Sequence, residues 1–125
     1  MQVLTRTFKA FSDETRLSLV ALLTWEPSLC VCDFMEVLDI PQPSVSRHMK
    51  ILADAGVVEG NREGVWVHYR LLSKGDQTTE NILNSLAERF AGKEYDELRG
   101  GLHAYLAKKN TCCGLDKADA VTTAE

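Results

Sequence analysis

The stretch that begins at Pro43 constrains the fold of this chain more than any other. Pro43 suits the first turn of a helix, where its missing N–H is no loss, and Gly56 suits the left-handed residue that ends one. The apolar residues between these two fall on one helical face: Val45, Met49 and Leu52. The pattern therefore predicts an amphipathic helix with one buried and one exposed face.

The segments on either side of this helix narrow the fold further. A shorter helix is predicted over Asp33 to Leu38, and a proline-containing turn joins the two. On the other side, 57–59 and 65–71 are rich in β-forming residues and flank 60–64, which has the composition of a hairpin tip. Two short helices followed directly by a hairpin predict a winged helix-turn-helix, in which the hairpin is the wing.

The remaining segments are predicted to be helical. Leu4, Phe8 and Phe11 repeat with helical spacing, and a second helix of about 13–24 is apolar nearly all round, which indicates central burial. Two more helices follow the wing, with an interruption at Gly92. We therefore expect a mainly α fold with a small β-hairpin, of the α+β class.

The C-terminal helices carry more apolar surface than a small winged domain needs. This surplus predicts a homodimer with the terminal helices at its interface. Residues 1–109 are expected to form the DNA-binding and dimerisation domain, and 110–125 a flexible, cysteine-containing tail without helical periodicity.

Charge is distributed unevenly along the chain. The segment 41–74 has five basic and three acidic residues, a net charge of +2 in a chain whose total is −4, so the remainder carries −6. A basic surface on an acidic body is typical of a protein that touches phosphates with one face only. The most apolar run, 17–23, is too short to span a bilayer, so we expect a cytoplasmic protein without a membrane partner.

Four cysteines fall in two tight pairs, Cys30/Cys32 and Cys112/Cys113. No secretion signal is evident, so reduced thiols are expected, and paired thiols bind soft ions strongly. Residues i and i+2 point about 200° apart on a regular helix but lie on the same side of an extended chain. Cys30 and Cys32 can therefore share one ion only where the start of the third helix is extended or unwinds.

Four segments in this order and spacing resemble the ArsR/SmtB family of metal-responsive repressors: FKAFSDETRL at 8–17, LCVCD at 29–33, QPSVSRHMKIL at 42–52 and REGVWVHYRL at 62–71. The resemblance covers about residues 3 to 72. It implies a homodimeric repressor that binds double-stranded operator DNA until an inducing ion lowers its affinity for the DNA. It also implies that the protein is not an enzyme and needs no organic cofactor.

The Cys-Val-Cys-Asp motif is similar to that of the arsenite-sensing subgroup, which implies As(III) as the inducer, with Sb(III) or methylated arsenic as variants. A cadmium and lead subgroup shares the motif but adds a cysteine in an N-terminal arm, and the seven residues before Phe8 contain none. Met35 occupies the place of the third cysteine of the best-known arsenic pattern, so a third donor must come from elsewhere or be absent. Cys112 or Cys113, from the same or the partner subunit, is the candidate third ligand, with a separate C-terminal site and an inert tail as the alternatives. A thiol-redox switch of the same fold is the other alternative.

Residues predicted to contact DNA lie on the outward side of the fourth helix and on the wing: Gln42, Ser44, Ser46, Arg47, His48, Lys50 and Arg62. Arginine and glutamine can bridge a base edge with two hydrogen bonds, whereas serine and lysine more often hold phosphate. His48 lies beside this face, where it either touches phosphate or packs. Asp33 is expected to cap the third helix, with orientation of a thiol as the alternative.

Overall fold

The computed structural model describes residues 1–72 and 75–109. These residues form six α-helices and three strands, in the order α1 (Gln2–Phe11), α2 (Glu14–Trp25), β1 (Leu29–Cys30), α3 (Val31–Leu38), α4 (Gln42–Asp54), β2 (Val58–Glu63), β3 (Trp66–Leu71), α5 (Gln77–Phe90) and, after a short 3-10 turn at Lys93–Tyr95, α6 (Asp96–Lys109). The candidate ligands Cys112 and Cys113, and the predicted tail, lie outside the described residues. Within the described ranges, no helix has the length and apolar character needed to cross a membrane.

Helix α2 lies at the centre of the hydrophobic core. Its five consecutive residues 19–23 are all buried, which confirms the prediction made from their apolar run. The carboxylate of Asp13 caps the helix by accepting a hydrogen bond of 3.0 Å from the backbone N–H of Arg16. Helices α1, α4, α5 and α6 and strand β3 all pack against α2, so the remaining elements are arranged around it.

The helix-turn-helix consists of α3 and α4. Asp39 ends α3 in the left-handed conformation, with φ of 56°, and Pro41 and Pro43 begin α4. The predicted apolar stripe of α4 is fully buried, and Gly56 follows the helix with φ of 78°. Both helices and the turn between them confirm the sequence prediction.

The hairpin is longer, and its turn tighter, than its composition predicts. Strands β2 and β3 pair from Val58 and Leu71 as far as Glu63 and Trp66, which leaves only Gly64 and Val65 in the turn. The prediction that 60–64 form the tip was therefore wrong, because 60–63 belong to β2. The glycine at position 60 serves packing instead of turning, since a Cβ atom there would lie 2.8 Å from Cε1 of Tyr69.

A third strand, β1, was missed by the sequence prediction. It pairs antiparallel with β3, placing Leu29 opposite Tyr69 and Cys30 opposite His68, and gives a sheet of order β1-β3-β2. Helix α3 begins at Val31, two residues earlier than predicted. Cys30 is consequently extended, with φ of −96° and ψ of 170°, while Cys32 lies in the first helical turn.

The C-terminal helices use part of their apolar surface inside the chain. Leu83 and Phe90 of α5 and Leu102 of α6 are buried in the same core as α2. Exposed apolar side chains remain on α1, where Val3, Leu4 and Phe8 are 66%, 41% and 57% exposed.

Two glycines offer a matched test of the turn geometry. Gly64 adopts φ of +65° in the turn, whereas Gly100 lies inside α6 with open space around it. Gly64→Ala is expected to lower the free energy of unfolding by about 1–2 kcal/mol, because a Cβ strains the left-handed conformation. Gly100→Ala is expected to raise it by roughly 0.5–1 kcal/mol, because alanine favours the helix. Urea denaturation at one protein concentration measures both, and equal effects would contradict the assigned turn.

Candidate nucleic-acid interface and thiol site

The exposed side of α4 presents polar and cationic side chains in a continuous row. Gln42, Arg47 and Lys50 are exposed, and Ser44 and Ser46 are half-buried beside them. The amide of Gln42 donates a hydrogen bond of 2.9 Å to Oγ of Ser46. The ammonium of Lys50 lies 3.5 Å from the carboxylate of Asp54 in a solvent-exposed pair. Such surface pairs contribute little stability, so Lys50 can exchange this partner for a phosphate.

The wing carries two exposed arginines, Arg62 and Arg70, and only Arg70 takes part in a salt bridge among the described residues. Arg62 lies in β2, two residues before the turn, and not in the turn itself as predicted. The other wing arginine, Arg70, is paired with Glu59 across the strands at 2.7 Å. Within the described ranges neither Arg62 nor Arg47 takes part in a salt bridge, so both cations face solvent.

His48 packs against Arg16 and does not extend from the exposed row. Its Nδ1 lies 3.1 Å from Nη1 of Arg16, and since arginine has only donors, this nitrogen accepts the hydrogen bond. The same guanidinium donates to the carbonyls of Ala10 at 2.8 Å and Lys9 at 3.1 Å. Arg16 therefore joins the end of α1 to α4. No role was predicted for Arg16 from the sequence, because its partners lie on other helices.

The environment of His48 favours the neutral ring. Burial lowers the pKa of His48 below its ordinary value, and the cations of Arg16 and Arg47 lower it further, while Asp13 opposes them. A neutral ring keeps Nδ1 available as the acceptor for Arg16.

The two cysteines of the Cys-Val-Cys motif differ in exposure. Cys30 is buried, at 1% exposure, at the end of β1, and Cys32 is half-buried in the first turn of α3. No disulfide joins these two residues. Among residues 1–72 and 75–109, no three histidine, cysteine, aspartate or glutamate side chains cluster as a metal site.

Asp33 connects the thiol segment to α6. It is fully buried, and its Oδ2 accepts a hydrogen bond of 2.7 Å from the backbone N–H of Cys30. Asp33 thus helps to cap α3, but from the third helical position of a capping box whose N-cap is Cys30, and not from the first residue of the helix as predicted. Its Oδ1 accepts from the hydroxyl of Tyr105 at 2.7 Å, and the ammonium of Lys109 lies within 2.9 Å of both oxygens. Burial alone would raise the pKa of Asp33, but the hydrogen bonds from Lys109, Cys30 and Tyr105 outweigh it and hold the pKa below its ordinary value.

Comparison with known proteins identifies the family to which this chain is similar. A model described as "Bacterial regulatory protein, arsR family" matches residues 13–60, which run from the cap of α2 into the wing. The arsenical resistance operon repressor of Bacillus subtilis strain 168 is 38% identical over 77 residues, which cover 62% of this chain and 70% of that protein. The chain belongs to the ArsR family.

A second relative and a solved structure support this ArsR-family assignment. The arsenical resistance operon repressor of Escherichia coli strain K12 is 48% identical over 64 residues, and the match spans 51% of this chain but only 55% of that protein. The crystal structure of the AntR antimony-specific transcriptional repressor is 28% identical with a TM-score of 0.55, over 65% of this chain and 70% of that one. The fold is that of the winged helix-turn-helix regulators.

The predicted ArsR-type site residues divide into three groups in the structure. Five share the outer side of α4, His48 of the same helix packs against Arg16, and Arg62 lies apart from them on β2. Cys30 and Cys32 adjoin at the start of α3, and Cys112 and Cys113 lie outside the described residues. The connections from Asp33 to α6 and from His48 to Arg16 of α2 were missed, because each joins residues far apart in the sequence.

The lowered pKa of His48 predicts a pH-dependent stability. Because the folded state holds this pKa below that of the unfolded chain, the unfolded chain binds more protons, and stability is lost as the pH falls below about 6.5. His48→Gln keeps an acceptor for Arg16 without the titration, so its free energy of unfolding should fall less between pH 7 and 5. His103→Gln, at an exposed position, is the matched control and should follow the parent. Identical pH profiles for the parent and His48→Gln would contradict the assignment.

Proposed function

We propose that this chain is a transcriptional repressor that binds operator DNA as a homodimer and is released when trivalent arsenic binds Cys30 and Cys32. The observation that carries the proposal is the position of the thiol pair. It lies at the N-terminus of α3, the first helix of the helix-turn-helix, and at the end of a strand that pairs with the wing. A change at this pair can therefore reach both DNA-contacting elements.

The exposed side of α4 supplies the proposed DNA contacts. Arg47 and Gln42 can each form two hydrogen bonds to a base edge in the major groove, and Lys50 can bind phosphate. Arg62, on the wing, is exposed for contact with the backbone or the minor groove. His48 is proposed to act indirectly, because its hydrogen bond with Arg16 helps to fix α4 against α1.

The chemistry of the thiol pair fits a soft ion. Trivalent arsenic, and antimony with it, supplies a centre that accepts thiolates strongly. Cys30 and Cys32 would provide two of them, and we propose that Cys112 or Cys113, from the same or the partner subunit, provides the third. A methylated arsenic species would need fewer protein donors.

The backbone at the thiol pair suggests how occupancy changes DNA affinity. Cys30 is already extended, so any rearrangement that lets both sulfurs face one ion falls on Val31 and Cys32, in the first turn of α3. That turn belongs to the helix packed directly against α4. By linkage, an ion that prefers the DNA-free form by about 3 kcal/mol weakens DNA binding about 150-fold.

A second copy of the chain is the proposed partner of α1. The exposed Val3, Leu4 and Phe8 form an apolar patch that burial in a dimer would remove from water. A two-fold dimer would present two copies of α4 to a palindromic operator.

The proposed role of the protein is to bind and release DNA in the cytoplasm, without a chemical step or an organic cofactor.

Arg47→Ala tests the DNA-binding surface. Loss of a bidentate base contact is expected to weaken binding by about 1–3 kcal/mol, or roughly 5–150-fold, in a fluorescence anisotropy titration with a palindromic operator from upstream of its own gene. Arg89→Ala removes an exposed arginine from α5 and is the control, with an affinity expected within twofold of the parent. Full affinity of Arg47→Ala would refute the proposed recognition surface.

Serine substitutions test the proposed ion ligands. Serine can still cap α3 in place of Cys30, so Cys30→Ser should keep DNA affinity but stay bound at arsenite concentrations that release the parent. The double variant Cys112→Ser/Cys113→Ser should need at least about tenfold more arsenite, as expected for loss of one thiolate donor. Unchanged affinity and stoichiometry in the double variant would exclude these two residues.

Parallel titrations of the parent protein–operator complex identify the ion or oxidant that releases the protein from DNA. Antimonite is expected to act like arsenite, whereas cadmium, lead and zinc should release DNA only at higher concentrations. Release by cadmium or lead at lower concentrations than by arsenite would favour a cadmium- or lead-responsive repressor. Release by peroxide under chelation, without any ion, would favour a redox switch.

A further inference from the structure

We propose that Asp33 is a positioning residue that ties the thiol segment to α6, so that the C-terminal helix sets how readily ion binding can reshape the start of α3. The inference rests on the proposed function, since it concerns regulation of the same site. Its physical basis is one carboxylate that bridges two distant parts of the chain.

The bridge consists of a single fully buried carboxylate with donors from two elements. On one side, Asp33 accepts from the backbone N–H of Cys30 at 2.7 Å. On the other, it accepts from the hydroxyl of Tyr105 at 2.7 Å and from the ammonium of Lys109 at 2.8 and 2.9 Å. Tyr105 and Lys109 are four residues apart, and so lie on the same face of α6.

Burial makes the hydrogen bonds and the ion pair of this bridge difficult to break. The side chain of Lys109 is only 10% exposed, so water is poorly placed to replace the donors if the carboxylate moves away. Removing one partner of a buried ion pair leaves an uncompensated charge, which is strongly unfavourable. Asp33 therefore stays where Tyr105 and Lys109 hold it.

The position of Asp33 in the chain gives the bridge its effect on the thiols. Asp33 follows Cys32 directly, and its capping bond to Cys30 closes the first turn of α3 around Val31. A rearrangement of this turn must either break the capping bond or move Asp33 away from α6. Because the anchors on α6 prevent Asp33 from following the turn, the rearrangement costs the capping bond. The anchors therefore favour the ion-free geometry, which in the proposed function is the form that binds DNA.

The anchors on α6 can be weakened one at a time by substitution. Weakening an anchor on α6 should loosen the first turn of α3 in the ion-free protein and lower the arsenite concentration needed for release of DNA. Tyr105→Phe is the sharpest variant, because it removes one hydrogen bond to Asp33 and keeps the ring and all charges. Tyr95→Phe is its matched control, since within the described part of the chain Tyr95 makes ring contact with Phe90 but no hydroxyl hydrogen bond.

Hydrogen–deuterium exchange in the full-length, ion-free protein measures the bridge directly. In Tyr105→Phe, the amides of residues 30–34 should exchange at least threefold faster than in the parent, whereas the buried amides of 19–23 in α2 should be unchanged. A general loss of stability would speed both sets alike. Tyr95→Phe should leave 30–34 as in the parent.

Arsenite titration of the operator complex measures the regulatory consequence. The arsenite concentration for half-release should fall at least threefold in Tyr105→Phe, with little change in DNA affinity before arsenite is added. Lys109→Gln should shift it in the same direction, and Lys93→Gln, at an exposed site, should not. Unchanged exchange at 30–34, or an unchanged or higher midpoint in Tyr105→Phe, would overturn the proposal.

The two measurements separate this inference from the function on which it rests. If arsenite fails to release the parent protein from DNA, the proposed function is wrong. Faster exchange at 30–34 in Tyr105→Phe would still support the bridge, because that measurement contains neither DNA nor arsenite.

Discussion

Burial of α2 is the constraint on which the rest of this structure depends. A helix with five consecutive buried residues must be covered on nearly every side, and α1, α4, α5, α6 and β3 provide that cover. Because α4 is one of the covering helices, its inward stripe is fixed against the core and its polar side is directed outward. The exposed surface proposed to read DNA is thus a consequence of covering an apolar helix elsewhere in the chain.

Local patterns were sufficient to predict most of the helices. The apolar periodicity of α1 and α4, the continuous apolar run of α2, and the helix boundaries marked by Pro43 and Gly56 are contained in short stretches of sequence, and the structure follows them closely. Strand β1 was missed because two residues are too few to show a period. The wing tip was misplaced because Gly60 looked like a turn residue, whereas its role depends on the ring of Tyr69 opposite it.

The site was predictable only as far as its residues are close in sequence. The thiol pair and the polar face of α4 were evident from their spacing, whereas the contacts that tie them to the rest of the protein were not. Asp33 meets Lys109 across 76 positions, and Arg16 meets His48 across 32. Each of these contacts combines an ordinary charged or polar residue with a distant partner, and nothing local distinguishes such a residue from one that faces solvent. The ligand role of Cys112 and Cys113 stays a prediction.

The two-residue turn of the wing has a consequence for reach along a duplex. Because the strands pair up to the turn, the length of the hairpin is set by the number of residues in each strand, at about 3.3 Å for each residue. Successive phosphates of one DNA strand are spaced about 3.4 Å along the helix axis, which is almost the same step. Inserting two residues into each strand between the base of the wing and Arg62 would move Arg62 farther from the base by roughly 7 Å, which equals the axial spacing of about two nucleotides. Wing length is therefore a discrete variable by which a protein of this architecture could change the phosphates it touches while its recognition helix stays the same.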